Sequence, residues 1–463
     1  MLNENFKLPP GWYCKSLVDC TKGGNISYGI VQPGQHQDDG IGIIRVNNIE
    51  NGKISVVDVL KVSHDIESKF SKTRLEGGEV LLTLVGSTGL SAITSKDLHG
   101  WNVARAIAVI RPSDEISAEW IHICLQSPYT KYFLDSRANT TVQKTLNLKD
   151  VKEIPLPIPP IEERINLEKI YFDLENKINL NLEINQTLEK MSQTLFKSWF
   201  VDFDPVIDNA LDAGSPIPET LQSRAELRQK IRNSVDFKPL PADIRALFPA
   251  EFEETELGWA PKTWNIEALD NIANFQNGLA LQKFRPENNE ENYLPVLKIA
   301  DLRAGYINND ERATFDIVDS CKVYDGDMIF SWSGTLMIDI WTGGNAALNQ
   351  HLYKVTSQKY PQSFYMMWTK QHLSRFQHIA EAKAVTMGHI KKGDLSNSLC
   401  LVPPSLLVNK YDNIVGKYFA KIKNQRLLNN QLTALRDTLL PKLISGELSL
   451  EDLPDLVKQT EPA

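Results

Sequence analysis

IIRVNNIENGKI, Ile43 to Ile54, returns 253 residues later as VLKIADLRAGYI, Val296 to Ile307. Other stretches repeat around it in the same order. PPGW (Pro9 to Trp12) returns as PKTW (Pro261 to Trp264), and GEVLLTLVGS (Gly78 to Ser87) as GDMIFSWSGT (Gly326 to Thr335). NVARAIAV (Asn102 to Val109) roughly matches NQHLYKV (Asn349 to Val355), and IPLPIPP (Ile154 to Pro160) matches LCLVPP (Leu399 to Pro404). The offset drifts from 253 to 244, as small loop deletions between two copies of one unit produce. The chain is one supersecondary plan written twice.

Each copy opens with short β-rich runs bounded by glycine and asparagine. A stretch with helical character follows, SAEWIHICLQSPYTKYFL from Ser117 and PQSFYMMWTKQHLSRFQHI from Pro361. After a double proline each copy ends in a long polar-apolar segment. Heptad a and d positions fall on Tyr171, Leu174, Ile178, Asn181, Asn185, Leu188, Ser192, Leu195 and Trp199. They are matched 244 residues on by Val415, Tyr418, Ile422, Gln425, Asn429, Leu432, Arg436, Leu439 and Leu443. A seam of this period wants a partner helix, and asparagine on a seam fixes register at a cost in stability. The copy itself is the natural partner, with Asn185 and Asn429 as register pins. Two unrelated solvent-exposed amphipathic helices are the alternative, but they leave the shared polar interruptions unexplained. A helix of about forty residues is ~60 Å long, so an antiparallel pair makes a rod with a pseudo-two-fold axis.

The expected fold is therefore α+β, two pseudo-symmetric β-rich domains separated by two long antiparallel coiled-coil helices. The expected boundaries are a β-rich domain at 1–155, a helix at 156–203, an acidic connector at 204–256, a second β-rich domain at 257–398, a second helix at 399–450 and an acidic tail at 451–463.

No apolar run approaches the ~20 residues of a membrane span, and MLNENFKLPPGW is not a signal peptide, so a cytoplasmic protein with no membrane partner is expected. The five cysteines, Cys14, Cys20, Cys124, Cys321 and Cys400, include no C-x-x-C, which argues against a disulfide framework or zinc site. The net charge of −8 is local: residues 204–256 hold eleven acids against six bases, and 447–463 five against one. The remainder is close to neutral and has room for basic loops. P-loop, H-E-x-x-H and N-P-P-[FY] patterns are absent, so no cofactor, metal or catalytic residue is expected.

SWFVDFDPV, Ser198 to Val206, poses a separate question, because two acids among aromatics can form a catalytic pair. No histidine, nucleophile or phosphate loop lies nearby, and a proline cannot continue a helix. The stretch reads as a joint in which Trp199, Phe200 and Phe203 cover the end of the first long helix and Asp202 and Asp204 begin the connector. With its surroundings, QTLFKSWFVDFDPV (Gln193 to Val206), and with ALFPAEFEETELGWAPKTW (Ala246 to Trp264) and TLLPKLISGEL (Thr438 to Leu448), it resembles the specificity subunits of type I restriction-modification systems. The resemblance covers nearly the whole chain. It implies two target recognition domains that read a split double-stranded DNA sequence, and helices that dock methyltransferase subunits (two of them) alongside helicase-nuclease restriction subunits. Two rivals stay open: a self-contained nuclease or methylase with a disguised site, and a DNA-free scaffold of two modules on a coiled coil.

Candidate DNA contacts are loop residues of suitable chemistry. Arg and Lys suit guanine, Asn and Gln suit adenine, and most contacts go to phosphate and sugar. In the first copy these are Lys22, Gly23, Gly24, Asn25, Arg45, Asn47, Asn48, Ser87 and Thr88. In the second they are Gln276, Asn277, Lys298, Arg303, Ser331, Ser333, Thr335, Asn349, Gln350, His351, Lys391 and Lys392. For each, a solvated loop side chain is the plain alternative. Trp332 reads as core before stacking platform.

Overall fold

The alternating apolar runs of each copy become short strands. The computed structural model describes residues 8–50, 52–137, 145–287, 292–382 and 388–445, and the tail at 451–463 lies outside them. The chain divides into a first unit, residues 1–177 with 432–463, and a second unit, residues 178–431.

The first unit contains β1 (Tyr13–Ser16), β2 (Thr21–Tyr28), β3 (Ile41–Ile44), β4 (Leu60–Val62), β5 (Val80–Thr83), β6 (Ser91–Ile93), β7 (Asn102–Val103), β8 (Ile107–Pro112) and β9 (Pro155–Ile158). They form a sheet of order β2-β8-β5-β6, a sheet of order β4-β3-β7 and the pair β1-β9. The second unit contains β10 (Asn265–Ala268), β11 (Asn274–Asn277), β12 (Tyr293–Leu297), β13 (Arg312–Thr314), β14 (Lys322–Val323), β15 (Met328–Ser331), β16 (Met337–Ile340), β17 (Ala346–Leu348), β18 (Leu352–Thr356) and β19 (Leu399–Val402). Its sheets run β11-β18-β15-β16, β13-β12-β17-β14 and β10-β19. The plan of three sheets is the same, with β14 added in the second unit and a two-residue hairpin, Ile49–Glu50 with Lys53–Ile54, added in the first. Even the parallel pair recurs, Ile44 beside Val103 and Leu297 beside Leu348.

The helical stretch from Ser117 breaks in two. The Ser117 hydroxyl accepts from Trp120 N at 3.2 Å and starts α1 (Ala118–Gln126). A separate helix begins at Pro128, since a proline disfavours helical dihedrals in the residue before it. Among the helices that follow are the long α2 (Ile161–Phe200), the shorter α3 (Asp204–Ala213), α4 (Gln222–Arg232) and α5 (Gln362–Glu381), and the second long helix, α6 (Ser405–Ser445). All nine seam positions on α2, and their nine counterparts on α6, are buried or half-buried. Within the first unit Leu167 and Tyr171 share a core with Leu443, and Arg436 pairs with Glu175. Within the second, Asn181 bonds Asn429, while Phe196 and Trp199 pack on Tyr411. In both units the partner's number falls as the α2 number rises, so the helices run antiparallel.

Trp199, Phe200 and Phe203 are buried, as a joint requires. The segment beyond is not the solvated acidic connector that its composition suggests. Phe203 takes a left-handed backbone (φ 57°), and Asp204 and Pro205 open α3. Proline suits a first helical turn, where its missing N–H is not needed. Asp204 is buried and takes Arg224 Nε and Nη2 at 2.7 and 2.8 Å. Asp208 pairs with Arg228, and Asp212 with Arg232 and Arg245. Acids and arginines at four-residue spacing face one another, each arginine 20 residues beyond its acid, so α3 and α4 run parallel and the acidity is locally compensated.

Candidate nucleic-acid interface

Each unit leaves its first sheet through a glycine that another backbone touches. A Cβ on Gly29 would lie 1.9 Å from the Val103 carbonyl oxygen, and one on Gly278 would lie 2.2 Å from that of Asn349. Only glycine allows so close an approach. The next residue then bonds sideways, Ile30 N to Val103 O at 2.8 Å and Leu279 N to Leu348 O at 3.0 Å. Both strands continue into a tight turn, closed by Ile107 N to Ala104 O and by Leu352 N to Asn349 O, each at 3.0 Å. Ala104-Arg105-Ala106 in the first unit is therefore the counterpart of Asn349-Gln350-His351 in the second. The sequence match of Asn102 with Asn349 is two residues out of register. Asn102 is fully buried, donating to Glu67 Oε1 at 3.0 Å and accepting from Thr73 Oγ1 at 2.8 Å.

In the first unit this turn borders an open cleft of about 740 Å³. Its lining brings Arg45, Asn47 and Ser87 together with Gly86, Ala104 and Ala106, and Glu50 is the one acid on its wall. Arg45 Nη2 donates to Asp58 O at 3.1 Å, and its buried Nε has no partner among the described residues. Thr88 follows in the same turn, its N–H bonded to Gly86 O at 2.9 Å. Asn48 is not free for DNA in this state: it is buried, and its Oδ1 accepts from Arg45 N at 3.0 Å. Asp301 does the same for Lys298 N at 2.9 Å. Lys22 to Asn25 form a bulge opposite Arg111, at the far end of β8 from the cleft, with Gly23 and Gly24 at φ 68° and 63°.

In the second unit the candidates join a polar-aromatic network. Asn277 Oδ1 accepts from Trp332 Nε1 at 3.1 Å, and Ser333 Oγ lies 3.1 Å from His351 Nδ1. Trp332 is half-buried beside Tyr353, His351 and His389, so it is both edge of the core and exposed face. Gln276 bonds Asn277 O at 2.9 Å. Ser331 is fully buried, its hydroxyl bonded to Ser333 O and Thr335 O at 3.1 and 2.8 Å. Lys298 pairs with Glu311 at 2.6 Å, whereas Arg303, Lys391 and Lys392 are exposed. Lys391 begins a short helix whose Asp394 accepts its N–H at 2.7 Å.

Ser91 Oγ approaches His122 Nδ1 at 2.9 Å, but the two are 1% and 5% exposed and no substrate reaches them. Among the described residues no group of His, Cys, Asp and Glu could hold a metal, and no helix is long and apolar enough to cross a membrane. Arg105 was not visible as a candidate from sequence. It lies inside NVARAIAV, where the apolar run reads as a strand.

The type I restriction modification DNA specificity domain matches residues 34–190 and 261–432. The chain is similar to the type I restriction enzyme HindI specificity subunit of Haemophilus influenzae, at 24% identity over 437 residues, covering 88% of this chain and 94% of that one. It is 36% identical over 140 residues to the EcoBI specificity subunit of Escherichia coli, covering 30% and 29% of the two chains. In fold it resembles the crystal structure of the type I restriction-modification system S subunit from M. genitalium, with a TM-score of 0.50 at 12% identity over 96% of this chain and 98% of that one.

Proposed function

The chain belongs to the type I restriction modification DNA specificity family, and from that premise we propose that it reads a split double-stranded DNA sequence, one half per unit. It is the specificity subunit of a type I restriction-modification enzyme and has no catalytic activity of its own. Residues 1–155 and 257–398 act as the target recognition domains. The helices α2 and α6 dock two methyltransferase subunits, and helicase-nuclease subunits complete a restriction complex, all in the cytoplasm. The observation that carries this reading is the repetition of one sheet plan, each copy presenting the same turn. Phosphate contacts position such a protein, and side chains at base edges give it sequence preference.

The test is DNA methylation by the purified chain with and without its modification partner. Methylation is expected only with the partner, at a motif of two fixed halves around an unspecified gap. Replacing Asn349, Gln350 and His351 together with Ala should relax one half alone. Methyl transfer by the lone chain, or equal change in both halves, overturns the reading.

A further inference from the structure

The two turns that the structure aligns carry different side chains at their apex. In the first unit it is Arg105, flanked by Ala104 and Ala106, both of which line the open cleft. Arg105 is exposed, and no hydrogen bond or ion pair of its guanidinium is found among the described residues. Its backbone is held on both sides, Arg105 N to Ile30 O at 2.8 Å and the turn closed by Ile107 N. A cation on a fixed backbone, with methyl groups beside it and no acid paired to it, keeps its fork of donors for something outside the chain. In the second unit the apex is Gln350, half-buried, with its amide 3.3 Å from His351 Nε2. That contact is longer than a strong hydrogen bond and leaves the carbonyl oxygen free to accept.

We propose that the apex residue of this turn is a base-reading position in each unit: Arg105 takes a guanine in the half-site of the first unit, and Gln350 an adenine in that of the second. This rests on the proposed reading of DNA by separate units. The guanidinium presents two parallel donors to the O6 and N7 acceptors of guanine, and a carboxamide presents one donor and one acceptor to N7 and N6 of adenine. Either pairing needs a side chain whose base is immobile, and the sideways bond to the residue after the glycine supplies that. The rigid-element requirement for a precise site is met by backbone rather than by packing. Arg45 and Ser87, in the same cleft, are left to position the phosphates.

The experiment determines the methylated motif from a random-sequence DNA library, using the full-length chain with its modification partner, as wild type and as Arg105→Ala, Arg105→Gln and Gln350→Ala. Arg105→Ala should lower discrimination for guanine at one position of one half-site by about tenfold or more, with the other half-site unchanged. Arg105→Gln should move preference at that position toward adenine. Gln350→Ala should act on an adenine in the opposite half. Melting of each variant within a degree or so of wild type, expected for an exposed side chain, removes misfolding as the cause. A uniform loss of affinity across all sequences, with a shallower salt dependence, would make Arg105 a phosphate contact and overturn the proposal. So would an unchanged motif. If wild type itself yields no two-part motif, the failure lies instead with the reading of half-sites by separate units.

Discussion

The two units agree where the chain holds itself and differ where it meets solvent. Gly29 and Gly278 sit in the same press of backbone. Arg45 N and Lys298 N are both capped by the side chain three residues on, although one cap is an asparagine and the other an aspartate. At the apex, arginine faces glutamine. The residue after β5 in the first unit is the buried Leu84, and after β15 in the second it is Trp332, hydrogen-bonded to Asn277. One backbone plan therefore supports two unlike surfaces, as expected when specificity is a set of side chains grafted on a common frame.

The units also differ in how they grip the long helices. The second buries Phe196, Trp199, Phe200, Phe364 and Tyr411 edge to face. The first uses Leu167, Tyr171 and Leu443. Replacing Trp199 with Ala should thus have the largest effect, a loss of ~3–5 kcal/mol from a core cavity. Hydrogen exchange should quicken in the strands of the second unit and stay unchanged in β2, β5 and β8 of the first. Equal loosening of both would show that the aromatic grip is not local to one unit.

A smaller effect tests the interiors through pH. The first unit buries His122 and the second half-buries His372, and desolvation lowers the pKa of each to about 4. In the unfolded chain a histidine titrates near ~6.5. Between these values the unfolded chain takes up a proton that the folded chain refuses. Stability is then full above about pH 6.5 and falls by up to ~1.4 kcal/mol per pH unit for each histidine as pH drops toward 4. His122→Gln should flatten that slope in exchange rates of the first unit while the second keeps it. An unaltered slope in the first unit would assign its acid sensitivity elsewhere.

Much of this was legible because it is periodic. Strand plan, repeat and seam all follow from apolar side chains recurring at two or at three and four residues, a local signal. The parallel helix pair after Phe203 had a signal that composition concealed. Asp204, Asp208 and Asp212 match Arg224, Arg228 and Arg232 at one spacing, which says paired faces where net charge says solvated linker. The site was less legible. Asn48 and Ser331 look like loop polar groups, but they satisfy buried backbone, a role that depends on depth rather than on residue type. Arg105 was hidden by a two-residue slip in matching the copies, which only the hydrogen-bond register corrects.

The smallest effect concerns the register pins, where the two copies disagree within a single stretch of seam. Asn429 does what a pin should: its Oδ1 accepts from Asn181 at 2.7 Å and its Nδ2 donates to Ile178 O at 3.1 Å. Asn185 is its counterpart, 244 residues earlier, and is equally buried, yet neither amide atom has a partner among the described residues. The symmetric mate of the Asn181–Asn429 bond would join Gln425 to Asn185. Gln425 instead reaches Asn181 at 3.3 Å and leaves its own Oε1 unbonded. The extra methylene of glutamine lets it cross the seam to the wrong amide, so one half of the lattice closes and the other does not. Asn429→Leu should then cost ~1–3 kcal/mol, because Asn181 loses its acceptor in a buried seam. Asn185→Leu removes a group that already lacks partners, so it should change stability by less than ~1 kcal/mol or raise it slightly. Chemical denaturation of the two variants, followed by far-ultraviolet circular dichroism, decides the matter. If Asn185→Leu costs as much as Asn429→Leu, Asn185 is bonded in solution and both asparagines pin the register.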